Sequence, residues 1–204
     1  MKPLILAATE FEIKPTIPLL DQKEIPYLIT GVGMTATAFT LGAYLEKNPQ
    51  TNCVINIGIA GCLDKQIPLG TLFNIQTDTF SELGAQDDKN FIAIDELGFG
   101  QSQYQSIPPK IRPLGLPTAH SITVNRVHGR ESSIAKIRQR LPHITLESME
   151  GAAVFYGCQQ RQIPCIQVRA VSNYVQKRDK SSWNIPLALD KLNSWLQQHI
   201  QQNY

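Results

Sequence analysis

Arginine is missing from the first half of the chain: none occurs before Arg112. A phosphate clamp there would have to be built without the forked guanidinium donors that suit the task. Cysteine is sparse, four in 204 residues (Cys53, Cys62, Cys158, Cys165), with no C-x-x-C pair and no ligand-like spacing to histidine. This excludes a zinc or disulfide framework and reads as buried free thiols in a reducing cytoplasm. No apolar run approaches the length of a membrane span. The opening run Leu4–Ala8 is short and meets Glu10 and Glu12 at once, which is unlike a secretory leader. Charge of one sign is also lacking: 19 basic and 17 acidic residues leave +2. That is too little to argue for a nucleic-acid or membrane partner. Neither an internal repeat nor a linker interrupts the chain, so residues 1–204 are expected to form one domain, long enough to close a large core.

What remains is an alternation of strands and helices. Leu4–Ala8 is continuously apolar, as in a strand covered on both faces, and a helix follows from Thr9, limited by Pro15 and Pro18. A short strand over Tyr27–Thr30 leads through Gly31-Val32-Gly33 into a helix from Met34 to about Glu46. Cys53–Ile57 reads as a strand ending in Gly58-Ile59-Ala60-Gly61. Further strands are expected over Gly70–Phe80, Ser121–Val124 and Ile163–Val171, with helices over Glu131–Leu141, Ser148–Arg161 and Trp183–Gln201. In Ser148–Arg161, Met149, Ala152, Ala153 and Tyr156 recur at helical spacing. Residues 82–118 are rich in Gly, Pro, Gln and Asp and read as a surface excursion. The pattern predicts an α/β fold, a three-layer α/β/α sandwich around a mixed, mostly parallel sheet.

Several short segments admit two readings. Thr9-Glu10-Phe11-Glu12 has the form of a capping box, with Thr9 at the N-cap and Glu12 three residues on. The same placement puts Glu12 at the carboxyl end of a strand, where α/β sites open and a carboxylate can activate water. Gly31-x-Gly33 and Gly58-x-x-Gly61 suit tight strand-to-helix turns or close backbone approach to a ligand. Glu150 falls in the first turn of its helix, where a carboxylate complements the dipole, but Glu147 offers the same service and leaves one of the two free. Asn173 follows a strand, as turn-forming asparagines do.

Taken in order, the motifs resemble those of the nucleoside phosphorylase and nucleosidase superfamily. The resemblance rests on Thr9–Glu12, Thr30–Gly33, Asn56–Gly61, Ser148–Ala152 and Arg169–Asn173, and spans nearly the whole chain. It implies a nucleoside phosphorylase-like fold and a small-molecule nucleoside substrate. It implies Glu12 as the carboxylate that deprotonates water, and Glu150 as the carboxylate that holds the ribose hydroxyls, with Met149 beside the sugar. Ala60 and Gly61 would line the base pocket, Asn173 would address the imidazole edge of the purine, and Ser172 would position it. No metal or organic cofactor is implied, and members assemble as homodimers or larger homo-oligomers. The chemistry is consistent: a carboxylate on the ribose binds more tightly as oxocarbenium character develops, and a base and a donor serve the water and the leaving purine.

Adenine-cleaving members carry aspartate where this chain has Asn173. An amide offers two donors and one acceptor and is no acid, which suits a 6-oxopurine better than adenine. Glu12, together with the absence of early arginine, favours water over phosphate as nucleophile. Ser172–Asp179 resembles the futalosine-hydrolysing branch of the superfamily. An adenine-type nucleosidase acting on methylthioadenosine, S-adenosylhomocysteine or aminodeoxyfutalosine, and a 6-oxopurine phosphorylase, are the alternatives; a silent nucleoside binder would have no need of Glu12. Arg178, Lys177, Arg126 and His128 are candidates to meet a carboxylate at the far end of such a substrate.

Overall fold

The computed structural model describes residues 2–109 and 114–204; Arg112 lies outside them. The strands are β1 (Leu4–Ala7), β2 (Tyr27–Ile29), β3 (Val54–Cys62), β4 (Leu72–Phe80), β5 (Gly84–Asp87), β6 (Asn90–Ala93), β7 (Gln103–Gln105), β8 (Thr118–Thr123), β9 (Leu146–Ser148) and β10 (Cys165–Tyr174). The α-helices are α1 (Glu10–Ile13), α2 (Ile17–Gln22), α3 (Met34–Lys47), α4 (Glu131–Arg140), α5 (Gly151–Gln160) and α6 (Ile185–Asn203).

The sheet is mixed and mostly parallel, in the order β10-β4-β8-β9-β3-β1-β2, with β7 on β4. Strand β10 also pairs with β3, so five strands close on themselves. One edge of β3 is shared: residues Val54–Asn56 pair with β1, and Gly61 and Cys62 pair with β9.

Alternation in the strands builds two apolar layers. Leu4 and Leu6 of β1 pack with Leu41, Leu45, Val154, Phe155 and Cys158 of α3 and α5. Ile5 and Ala7 pack on the other face with Ile13, Leu20, Leu192, Leu196 and Ile200 of α1, α2 and α6. Covering both faces is what makes these strands apolar throughout. A third cluster seats Ile137 of α4 on Ile122 and Val124. The expected three-layer sandwich is therefore the architecture, with the sheet curled where the site lies.

Among the boundaries that differ from the sequence reading, three bear on the site. The Gly58–Gly61 segment is interior to β3 rather than a turn after it, and β10 runs on to Tyr174. Ser148 closes β9, and Glu150 is the N-cap of α5 rather than a first-turn residue. The 82–118 excursion holds a β5–β6 hairpin and the strand β7. Each strand is only three or four residues long, too short for an alternating pattern to stand out. Among the described residues no helix is long and apolar enough to cross a membrane.

Candidate active site

The carboxyl half of β3 is the spine of the site. Glu12 lies beside it: its Oε1 accepts from the Ile59 backbone N–H at 3.1 Å, and its Oε2 accepts from the backbone N–H and hydroxyl of Thr9 at 3.0 and 3.1 Å. The capping interaction and the placement on the strand are thus two ends of one carboxylate. Burial pushes the Glu12 carboxyl above its ordinary value, an effect opposed by the nearby Arg169 guanidinium and the Ile59 N–H and reinforced by Glu150. The turn carrying Glu12 is pinned from behind by buried Asn193 of α6, which donates to the Glu12 carbonyl at 3.0 Å and accepts from Thr16 at 2.7 Å.

Although Glu150 is the N-cap residue of α5, its side chain makes no capping hydrogen bond to its own helix. Its Oε1 crosses to the Gly33 N–H at 3.0 Å, and its Oε2 accepts from Met149 N–H at 3.3 Å. Gly33 begins α3 with φ 96°, a left-handed value that favours glycine, and this aims its N–H outward. The turn therefore delivers a donor to the carboxylate rather than merely reversing the chain. Glu147 takes no part in the helix start either. It lies in β9, where it accepts from the His128 N–H at 2.8 Å and pairs with His128 Nδ1.

Asn173 reaches the site through an irregularity. The β10–β3 register shifts between Val171 and Asn173, so that Val171 faces Ala60 while Asn173 faces Gly61. The displaced Ser172 donates to Asn173 Oδ1 at 2.8 Å and lies 3.2 Å from the Ala60 carbonyl. Asn173 Nδ2 donates to the Tyr174 carbonyl at 3.2 Å. A carbonyl only accepts, so this contact fixes the amide orientation and leaves one N–H for a ligand. Gly61 is required here: a Cβ would stand 2.9 Å from Val175 and 3.3 Å from Asn173 Nδ2. A cavity of about 200 Å³ opens on Asn173, lined also by Gly61, Val127, His128, Glu147 and Arg178. Ala60 is buried behind it. Ile59 and Gly61 are two residues apart on β3, which sets the Glu12 and Asn173 contacts about 7 Å apart along the strand.

The candidate cations divide. His128 and Arg178 line the Asn173 cavity, with Arg178 stacked on Trp183; Lys177 lines a neighbouring surface cleft, and Arg126 is exposed. On the α3–α5 side, a groove of about 830 Å³ is lined by Met34, Phe39, Phe80, Phe99, Tyr104 and Tyr156 among others, with no lysine or arginine.

The sequence reading assigned no role to Arg169, Asp78, Gln167 or Asn56, which form a buried polar chain under the site. Arg169 is 1% exposed, and a Cβ at Gly58 would lie 2.0 Å from its Nη1 and 2.8 Å from Glu12 Oε1. Two charged residues in strands otherwise read as core were the available signal.

No protein-family model matches the chain. Over 143 residues it is 32% identical to futalosine hydrolase of Streptomyces coelicolor, covering 68% of this chain and 61% of that protein's length. Over 174 residues it is 30% identical to futalosine hydrolase of Acidothermus cellulolyticus, covering 81% of this chain and 70% of that protein. The chain belongs to the futalosine hydrolase family. The native structure of futalosine hydrolase of Helicobacter pylori superposes with a TM-score of 0.82 over 99% of this chain and 98% of that one, at 17% identity, a likeness of fold.

Proposed function

We propose that the protein hydrolyses the N-glycosidic bond of futalosine, releasing hypoxanthine and dehypoxanthine futalosine, within the futalosine route to menaquinone. The observation that carries this reading is the grouping against one strand, β3, of a proton-accepting carboxylate, Glu12, with an amide, Asn173, where an acid would serve adenine. Family membership supports the same substrate.

Glu12 is the general base. Its Oε1 faces β3, and the burial that raises its proton affinity makes it a stronger acceptor for a proton from water. Glu150, held by the Gly33 and Met149 N–H groups, accepts from the ribose hydroxyls and strengthens those bonds as the sugar becomes cationic. The free N–H of Asn173 donates to the departing purine at its imidazole edge or 6-oxo group. His128, paired with the Glu147 carboxylate, lines the same cavity as Asn173. The arginine nearest Glu12 already donates to Gln167 and Asn56, which disfavours a phosphate nucleophile.

The protein is further inferred to be a homodimer or larger homo-oligomer: Phe39 and Phe99 are 79% and 81% exposed beside the groove. Four free, buried cysteines suit a cytoplasmic setting.

The test is incubation without phosphate with futalosine, aminodeoxyfutalosine, methylthioadenosine and inosine, following free base by chromatography. Hypoxanthine from futalosine is expected. Adenine release from the amino nucleosides at a comparable rate would overturn the role of Asn173, and a requirement for phosphate would overturn that of Glu12.

A further inference from the structure

Asp78 of β4 is fully buried, and its two oxygens have different clients. Oδ1 accepts from the Thr123 hydroxyl at 2.8 Å. That hydroxyl accepts the Ala152 N–H at 2.8 Å, so its single proton goes to Asp78. Oδ2 accepts from Gln167 Nε2 at 3.0 Å. This turns Gln167 Oε1 toward Arg169 Nε, 2.7 Å away. Arg169 Nη2 donates to Asn56 Oδ1 at 2.7 Å, and Asn56 Nδ2 donates to the Leu6 carbonyl at 3.1 Å. Nη1 is left over Gly58 beside Glu12. Gln167 stands between the two charges, so Asp78 acts on Arg169 through the direction of an amide. Gly151 allows this approach: a Cβ there would lie 2.1 Å from both Asp78 Oδ2 and Gln167 Oε1.

We propose that Asp78 is a positioning residue that sets the donor–acceptor direction of this chain, seating Arg169 against Glu12 at one end and the first turn of α5, behind Glu150, at the other. The inference rests on the reading of Glu12 and Glu150 as the working carboxylates. As the chain stands both ends donate: Arg169 Nε has no acceptor to offer, and the Thr123 hydroxyl takes the Ala152 N–H on its oxygen and gives its proton to Asp78. Between donors, one carboxylate and one amide satisfy all three links. Two amides leave one donor of the chain without its acceptor, and two carboxylates keep all three links only by sharing a proton.

This parity gives a rescue experiment. Asp78→Asn places two amides in the chain and breaks a link; Asp78→Asn with Gln167→Glu moves the carboxylate one step along and repairs it, with the same formal charge. The primary readout is the titration of Glu12 by carboxyl 13C NMR, assigned with Glu12→Gln, which needs no substrate. The groups facing Glu12 are Arg169 of β10, Glu150 at the start of α5, the Ile59 N–H of β3, and Thr9. With Arg169 unseated, its opposition to protonation weakens, so Asp78→Asn is expected to move the Glu12 titration to higher pH. The kcat on whichever nucleoside the wild type turns over should fall about tenfold to a hundredfold, with KM nearly unchanged. The double variant should restore both. Should Asp78→Asn fail to fold, the double variant, which keeps the donor–acceptor order, must still fold and titrate as the wild type does. A Glu12 titration that stays or moves down in Asp78→Asn, or a double variant that does not recover the wild-type titration, would overturn the proposal. A wild type inactive on futalosine, whose Glu12 titration nonetheless follows this pattern, would overturn the substrate and leave the role of Asp78 standing.

Discussion

Replacing Asn173 by aspartate tests the base-recognition argument most directly. In the native site the Ser172 hydroxyl donates to Oδ1, and Nδ2 donates to the Tyr174 carbonyl at 3.2 Å, leaving one N–H for the purine. An ionised carboxylate in the same place would set an oxygen against that carbonyl and remove the free donor. The new carboxyl group then either takes a proton, which satisfies Tyr174 and again offers the purine no N–H, or rotates away. Either way a 6-oxopurine loses one buried hydrogen bond in the transition state, a loss of about 1–3 kcal/mol, or roughly tenfold to a hundredfold in kcat/KM. Adenine nucleosides should lose less or gain, because a carboxylate can accept from the exocyclic amine. The measurement is kcat/KM for futalosine and for aminodeoxyfutalosine, wild type against variant, with melting temperature to confirm folding. The ratio should swing toward the amino substrate by at least tenfold. A ratio that holds within threefold, in a folded variant, would refute the assignment of base choice to this position.

Other outcomes follow from the same geometry. Glu12→Gln keeps an acceptor for the Ile59 N–H but removes the base, so turnover should fall by about a hundredfold to ten-thousandfold while equilibrium dialysis still detects nucleoside binding. In the wild type, kcat should fall with acid at a pH above the ordinary carboxylate range. Burial raises Glu12, the base works deprotonated, and activity is lost as pH drops through the raised value; a stopped-pH series measures the limb. Gly58→Ala puts a methyl 2.0 Å from Arg169 Nη1 and 2.8 Å from Glu12 Oε1, and relaxation should cost about 1–3 kcal/mol in chemical denaturation with a steep loss of kcat. Phe39→Glu, at an exposed site beside the apolar groove, should shift the light-scattering mass toward the monomer without lowering the melting temperature of the monomeric unit.

The layers were legible because their signal is local. The continuous apolar run Leu4–Ala7, and Val54–Ile57 with Asn56 as its one polar residue, state that both faces of these strands are covered; of the helical stripe Met149, Ala152, Ala153 and Tyr156, the alanines turn inward while Tyr156 is 41% exposed and Val154, Phe155 and Cys158 complete the buried face. The carboxylates were legible as candidates for a related reason: Glu12 and Glu150 each stand at a junction between a strand and a helix, where a side chain can face a cleft. What lay beyond local pattern was direction. Asp78 is the clearest instance. Phe73 and Ile75 bury the odd positions of β4, so strict alternation would send Asp78 to the surface beside exposed Gln76. The register with β8 shifts between Ile75 and Thr77, and that single irregularity turns Asp78 into the core. A second shift, between Val171 and Asn173, aims the amide at Gly61. Both irregularities lie against a closed part of the sheet, where strands must bend to meet. Closure joins residues from β3, β4, β8, β9 and β10 that are far apart in sequence, and its sequence cost is paid in glycines: Gly58 of β3 gives way to Arg169, Gly61 of β3 to Val175 and Asn173, and Gly151 of α5 to Asp78 and Gln167. Read as turn glycines, Gly58 and Gly61 said little, and Gly151 drew no reading. As points of close approach, Gly58 and Gly151 mark where the buried polar chain passes beneath the two carboxylates.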